Sequence, residues 1–322
     1  MFDKFRKKIG WEDKNKENSN TKRNCLIDEM IGKKLGKLCA LIGNPVSHSL
    51  SPAMHNAAFE SLGLDYTYIA FEIDEAHLLD TVVAFKQIGV VGFNVTSPFK
   101  SSIIRYLDGM SSEAEKIDAV NTVVNQNDRF VGYNTDVFGA IRTLENSKIR
   151  IKDECFLIIG GGGAAKALAY AILKEKGKVI ISNRTYENAK KIADRFENYG
   201  EIDAVPMGKE LYKLFDKIKV VVNCTPVGMA PNENNMPIEP TLIRKDMAIF
   251  DLVYSPPETM FMKEAKKRGA KTISGLDMLV YQGAAAFELW LGRKAPVETM
   301  RKAVEETLNQ MPVWKYDRYR KR

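Results

Sequence analysis

The run Cys155-Phe156-Leu157-Ile158-Ile159-Gly160-Gly161-Gly162-Gly163-Ala164-Ala165 decides the fold. Five mostly apolar residues predict a buried strand. Four glycines follow, and then an Ala-rich stretch predicts a helix to about Lys174. Gly160, Gly162 and Ala165 stand in G-x-G-x-x-A spacing. The first glycine permits a tight turn, the second lets a pyrophosphate approach the backbone, and the small third residue lets helix pack on strand. The helix start, with Gly163 and Ala164, offers free N–H groups and a positive dipole end to phosphate. Glycine spacing alone is a weak sign, and a plain packing loop is its ordinary reading. Its place between strand and helix favours a dinucleotide site.

Working outward, Lys178–Ser182 reads as the next strand and ends in Asn183-Arg184-Thr185. A carboxylate usually stands there when the ribose 2′-hydroxyl is read. Here an amide and a guanidinium take its place, and a guanidinium suits a 2′-phosphate. The residues therefore favour NADP. Later strands are expected at Lys219–Asn223, Met247–Leu252 and Lys271–Ile273, with an apolar helix from Met278 to Leu291. On the N-terminal side, Leu38–Gly43 reads as a buried strand. A helix over 52–62 follows, with Ser51 as its N-cap and Pro52 in its first turn. Strands at Tyr66–Phe71 and Val90–Val95 flank a helical pattern of Leu78, Leu79, Val82, Val83 and Phe85. This alternation favours a parallel sheet with helices on its faces. Pro98 predicts a helix through 101–107.

The 322 residues suffice for two domains. The net charge of +7 is unevenly placed. Residues 1–37 hold 11 Lys/Arg against 6 Asp/Glu, and residues 311–322 hold 5 against 1, which leaves the body at −2. The body is no nucleic-acid surface by composition. The polar N-terminal segment and basic tail read as solvated extensions. The four cysteines, at 25, 39, 155 and 224, have no metal-type spacing, so no metal site is expected. No stretch reads as a signal peptide or a membrane span. These readings point to the cytoplasm.

Three further segments are too polar for their setting. Gly43-Asn-Pro-Val-Ser-His48-Ser49-Leu-Ser51-Pro52 follows one strand, Asn94-Val-Thr96-Ser-Pro98-Phe-Lys100 ends another, and Gly132-Tyr-Asn134-Thr-Asp136 precedes the second unit. Taken singly, Ser51 is a cap, Lys100 a surface lysine and Asp136 a helix start.

Taken together they resemble the shikimate dehydrogenase family, from about Leu38 to Leu308. The likeness extends to Ala119-Val-Asn121-Thr122, Asn134-Thr-Asp136-x-x-Gly139, Asn223-x-Thr225-Pro-x-Gly228-Met229 and Leu276-x-Met278-Leu-x-x-Gln282. The resemblance implies reversible NADPH-dependent reduction of 3-dehydroshikimate to shikimate, on the route to chorismate and the aromatic amino acids. It implies a two-domain α/β fold with a mostly parallel sheet in a split substrate-binding domain, 38–136 plus 275–310, and an inserted Rossmann-type NADP domain, 137–274. By the same resemblance Ser49, Ser51 and Tyr254 hold the substrate carboxylate. Thr96, Asn121 and Gln282 hold ring hydroxyls, and Lys100 and Asp136 are the catalytic pair. Thr225, Met229, Gly275 and Met278 line the nicotinamide side. His48 and Cys224 are read as structural. The family often has Arg where this chain has Lys166, and a second basic residue where it has Asn188. A monomer or homodimer is expected. The alternatives are a quinate/shikimate dehydrogenase using NAD and a catalytically silent regulatory protein on the same fold.

Overall fold

The computed structural model describes residues 36–310. The expectations for the N-terminal segment through residue 35 and for the 311–322 tail lie outside the described residues.

The first sheet opens with β1 (Lys37–Gly43), followed by α1 (Ser51–Ser61), β2 (Tyr66–Glu72), α2 (Leu78–Gln87) and β3 (Gly92–Val95). β1 pairs in parallel with both β2 and β3. The sheet continues through β4 (Gly109–Met110), α3 (Ser112–Ile117), β5 (Thr122–Gln126) and β6 (Arg129–Tyr133). Its order is β2-β1-β3-β5-β6-β4. β5 runs antiparallel to β3 and β6. The sheet is therefore mixed, with parallel pairs in the majority. The antiparallel pair closes through Asn127 and Asp128, both at positive φ (54° and 64°), the conformation a two-residue hairpin needs.

α4 (Asp136–Asn146) leads to the second sheet. There β7 (Cys155–Ile159), α5 (Gly163–Lys174), β8 (Lys178–Ser182), α6 (Tyr186–Phe196) and β9 (Ile202–Ala204) form one half. α7 (Lys209–Tyr212), β10 (Ile218–Asn223), β11 (Ala248–Asp251), α8 (Met260–Lys267) and β12 (Lys271–Ser274) form the other. All pairs are parallel, in the order β12-β11-β10-β7-β8-β9. This is the doubly wound Rossmann order, with its switch point between β7 and β10. The near-continuous apolar runs of these strands are what a sheet buried on both faces requires.

α9 (Gly275–Leu291) and α10 (Val297–Gln310) leave the second sheet. Val280, Ala284, Phe287, Met300, Val304 and Leu308 join one buried cluster with Leu41, Met54, Phe59 and Tyr68 of the first unit. The Trp290 indole nitrogen donates to the Val123 carbonyl at 2.9 Å. Gly139 of α4 lets α9 come close, since a Cβ there would stand 2.9 Å from the Met278 carbonyl oxygen.

Three local expectations are corrected. Ser51 is already helical: Leu50 is the N-cap residue and no side chain caps that end. The segment after Pro98 is a 3-10 helix, Ser102–Tyr106, not a helix over 101–107. Leu79 and Val83 of α2 are 47% and 45% exposed, and only Leu78, Val82 and Phe85 of that pattern reach the core.

Candidate active site

The strand ends explain why the polar segments meet. β1 and β3 are parallel, so the loops after Gly43 and Val95 leave the same edge of the sheet. β5 runs opposite to β3, which brings its first residues to that edge, and β6 runs opposite to β5, which returns Tyr133 there. Asn121 then lies beside both neighbours. Its carbonyl accepts from Val95 N at 2.9 Å, and its N–H donates to the Tyr133 carbonyl at 3.1 Å.

A cleft of about 190 Å³ opens at this edge. Ser49, Ser51 and Tyr254 line it, as do Thr96, Asn121 and Gln282. Lys100 and Asp136 line it too, with Ala164, Gly275 and Met278 from the second unit and α9. All eight residues expected at the substrate and catalytic positions therefore share one cavity.

Lys100 Nζ donates to Asp136 Oδ2 at 2.6 Å, with side-chain exposures of 16% and 6%. The other carboxylate oxygen, Oδ1, accepts from Asn121 Nδ2 at 2.8 Å. Asn121 Nδ2 also reaches Thr135 Oγ1 at 3.0 Å, and its Oδ1 accepts from Thr135 N at 2.7 Å. The aspartate is thus fixed on both oxygens, and the amide that fixes it is itself held on both ends. At the other end of the cleft, Ser49 Oγ accepts from Ser51 N at 3.2 Å. Burial raises the Tyr254 hydroxyl to about 12, so it stays a donor.

Sequence reasoning missed several neighbours. Asn94 lines the cleft, yet its amide is spent: Oδ1 accepts from Tyr68 Oη at 2.7 Å, and Nδ2 donates to the Asn121 carbonyl and Thr122 Oγ1. Behind it His55 stacks on Tyr68, ring centroids 4.4 Å apart. Neither imidazole nitrogen has a hydrogen-bond partner, and burial lowers the pKa to about 3, so the ring is neutral. His48, expected to be structural, also lines the cleft, and burial lowers its pKa. Only the motifs around Asn94 and His48 carried a signal. Tyr68 and His55 read as ordinary core positions.

The glycine loop sits across the cleft. Gly160 has φ 135°, and a Cβ there would lie 3.0–3.1 Å from Cys224. It therefore marks the point where the ends of β7 and β10 touch, as Cys224 N donates to the Ile159 carbonyl at 2.8 Å. A Cβ on Gly162 would meet nothing within 4 Å, so that backbone faces open space at the start of α5. Gly163 presses on the catalytic side, since its Cβ would stand 3.0 Å from the Lys100 side chain. Ala165 is fully buried, in keeping with a packing residue. Asn183 and Asn188 crowd Gly161, so the Asn183-Arg184-Thr185 segment adjoins the loop. Arg184 is exposed, with no hydrogen bond or ion pair to a described residue. Thr225 is turned back to Asn223 Oδ1 at 2.6 Å and, like Met229, lies outside the cleft lining. Cys224 is partly buried, and desolvation raises the pKa of its thiol. Among the described residues no cluster of His, Cys, Asp or Glu could hold a metal, and no helix is long and apolar enough to cross a membrane.

The chain matches three family models. Residues 41–123 match the shikimate dehydrogenase substrate binding domain, 143–255 the shikimate/quinate 5-dehydrogenase domain, and 275–305 the shikimate 5′-dehydrogenase C-terminal domain. It is 45% identical over 282 residues to the NADP(+) shikimate dehydrogenase of Methanococcus maripaludis, covering 84% of this chain and 97% of that protein. A crystal structure of a shikimate dehydrogenase in complex with NADP+ superposes with a TM-score of 0.78 at 41% identity, covering 85% of this chain and 96% of the other. The Thermus thermophilus shikimate 5-dehydrogenase in complex with NADP(H) and shikimate gives 0.76 at 36% identity, covering 84% and 99%. With the fold, the shared cleft and these likenesses in agreement, the chain belongs to the shikimate dehydrogenase family.

Proposed function

We propose that this protein is an NADP-dependent shikimate dehydrogenase that reversibly reduces 3-dehydroshikimate to shikimate. The observation that carries this reading is the Lys100–Asp136 pair, 2.6 Å apart in a cleft that sets hydroxyl, amide and phenol groups beside apolar side chains such as Leu41, Val46 and Leu279, and that the glycine-rich helix start adjoins. A small ring bearing a carboxylate and several hydroxyls needs such a lining, because each buried polar group of the ligand must find a partner.

Ser49, Ser51 and Tyr254 take the carboxylate, while Thr96, Asn121 and Gln282 take ring hydroxyls. The open backbone at Gly162 and the free N–H groups of α5 fit a pyrophosphate. Arg184, with Asn183 and Thr185, fits the adenosine 2′-phosphate. Gly275 and Met278 face the cleft from α9, and Thr225 and Met229 stand on the neighbouring loop. When bound, NADPH supplies the hydride to the substrate carbonyl carbon. The Lys100 ammonium then gives one proton to the resulting alkoxide oxygen, which leaves a neutral amine and the alcohol. In the reverse direction the neutral amine takes that proton back. Asp136 orients the ammonium, and Asn121 holds Asp136.

Residues 38–136 with 275–310 form the substrate unit, and 137–274 form the inserted nucleotide unit. We place the enzyme in the cytoplasm as a monomer or homodimer, with no nucleic-acid partner. Following the absorbance of reduced nicotinamide, with shikimate against quinate and NADP against NAD, tests the reading. Turnover is expected with shikimate and NADP at the highest kcat/KM. Preference for quinate with NAD would favour the alternative enzyme, and no turnover with any pair would overturn the reading.

A further inference from the structure

Lys166 stands one turn into α5, directly after the glycine loop, where a basic side chain would ordinarily be assigned to cofactor phosphate. Its hydrogen bonds contradict that assignment. Nζ donates to Asp118 Oδ2 at 2.7 Å, to the Asp118 carbonyl at 3.1 Å and to Ser101 Oγ at 3.1 Å. An ammonium has three donors, and all three are spent on the opposite unit.

The partners matter because of where they sit. Ser101 follows Lys100, and its hydroxyl also donates to the Asp118 carbonyl at 2.8 Å. The Lys100 carbonyl accepts from Val120 N at 2.7 Å. Asp118, in the left-handed region at φ 58°, ends α3 and lies three residues before Asn121, the partner of Asp136. Lys166 therefore grips a place where the segments leading to Lys100 and to Asn121 are tied together. Two neighbours hold the same helix. Arg195 of α6 donates to the Lys116 and Glu115 carbonyls at 2.8 and 2.9 Å, and Lys174 of α5 pairs with Glu113 at 2.5 Å. Beside this clasp the α5 backbone comes against Lys100, with the 3.0 Å approach at Gly163.

We propose that Lys166 is a positioning residue for Lys100: it clasps Asp118 and Ser101 across the two units and fixes the catalytic lysine against the glycine-rich helix, instead of binding cofactor phosphate. This rests on the reading of Lys100 as the proton donor. A half-exposed ion pair contributes little to folding, but a displacement of about 1 Å at a reacting group can cost up to about a hundredfold in rate.

The test compares Lys166→Met, Lys166→Arg, Asp118→Asn and the Lys166→Met/Asp118→Asn double variant. Shikimate oxidation is measured in each, and NADP affinity is measured directly by calorimetry. Asparagine tolerates the left-handed backbone at 118, so that variant removes charge with little change of shape. Lys166→Met is expected to lower kcat about tenfold with NADP affinity unchanged within about twofold. Asp118→Asn should do the same and the double variant no more, because the two act as one contact. Lys166→Arg should restore most of the loss. The kcat of the unaltered protein should fall as salt screens the half-exposed pair, and that of Lys166→Met should not. A tenfold loss of NADP affinity with kcat intact would make Lys166 a phosphate ligand and overturn the proposal. Unchanged kcat in both single variants would also overturn it. Should Lys100→Ala prove fully active, the reading of Lys100 fails, while NADP affinity still decides whether Lys166 serves phosphate.

Discussion

At the scale of single residues, the site works by saturation. Asp136 spends one oxygen on Lys100 and the other on Asn121, so neither can drift without leaving a buried polar group unpaired. Asn94 is fully engaged, which makes it a wall and not a donor to ligand. Arg184 is the opposite case, an exposed guanidinium with no partner among the described residues. A free guanidinium beside the glycine loop can meet a 2′-phosphate without first breaking an ion pair. With Lys166 committed elsewhere and Asn at position 188, the proposed function leaves that contact to Arg184 with little help. Arg184→Ala should therefore raise the NADP KM at least tenfold, the worth of about 1.5–3 kcal/mol for a charge-assisted bond, and leave NAD turnover nearly unchanged. Steady-state kinetics with both cofactors checks this, and an unaltered preference would reject the assignment. Ser49, Ser51, Thr96 and Lys100 stood out in the sequence because they sit in short polar motifs that follow strands, whereas Tyr254 and Gln282, the latter inside α9, came only through the family resemblance. Tyr68 and His55 did not stand out, since a tyrosine and a histidine inside apolar stretches look like any other core residue until their rings are seen stacked.

Among the elements, β10, β11 and α8 meet at one carboxyl group. Asp251 Oδ1 accepts from Asn223 Nδ2 at 2.9 Å and Val253 N at 3.1 Å, and Oδ2 accepts from Thr259 Oγ1 at 2.6 Å. Thr259 in turn caps α8 by accepting from Met262 N. Among the described residues no cation joins them, and burial pushes the Asp251 carboxyl up to about 6 although these bonds pull it down. The folded state thus holds this proton more tightly than the unfolded chain does. Its contribution to stability is complete below the ordinary carboxyl value of about 3.9 and is lost as pH rises through about 6. The amount is on the order of 3 kcal/mol. Asp251→Asn removes this dependence, so its melting temperature should gain on that of the unaltered protein as pH rises from 4 to 7. Scanning calorimetry at several pH values tests the sign, and a constant difference across the range would refute it. The long apolar strands of the second sheet were legible because burial on both faces writes a continuous run. β5 and β6 were overlooked although Asn127-Asp128 stands between alternating strands, a recognisable hairpin turn. The segment after Pro98 stops at a 3-10 turn because Leu107 returns to extended backbone and Asp108 N is claimed by the Phe130 carbonyl.

For the whole molecule, the last helices decide whether the first unit is complete. Met300, Val304 and Leu308 of α10 are buried in one cluster with α1 residues Met54, Ala58 and Phe59. Each such side chain is worth about 1.5–3 kcal/mol, against a total stability of about 5–15 kcal/mol for a typical protein. A chain ended after Pro296 should lose most of its folded population, seen as a lost or strongly lowered thermal transition. An unchanged transition would show that α10 is dispensable. The apolar run of α9 suggested a return to the first unit, but that α10 packs on α1 came only through the family resemblance, since periodicity says which face of a helix is buried and not what covers it. The account as a whole comes down to one group in the cleft those helices help to close. Its most direct measurement is the single-turnover rate of NADPH oxidation by Lys100→Ala, with 3-dehydroshikimate at saturation. A positioned proton donor is worth about 10²–10⁴ in rate, so the variant should bind substrate yet react slower by that factor, and Lys100→Arg should not recover it, since guanidinium keeps its proton. A rate equal to that of the unaltered protein at saturation would contradict the account.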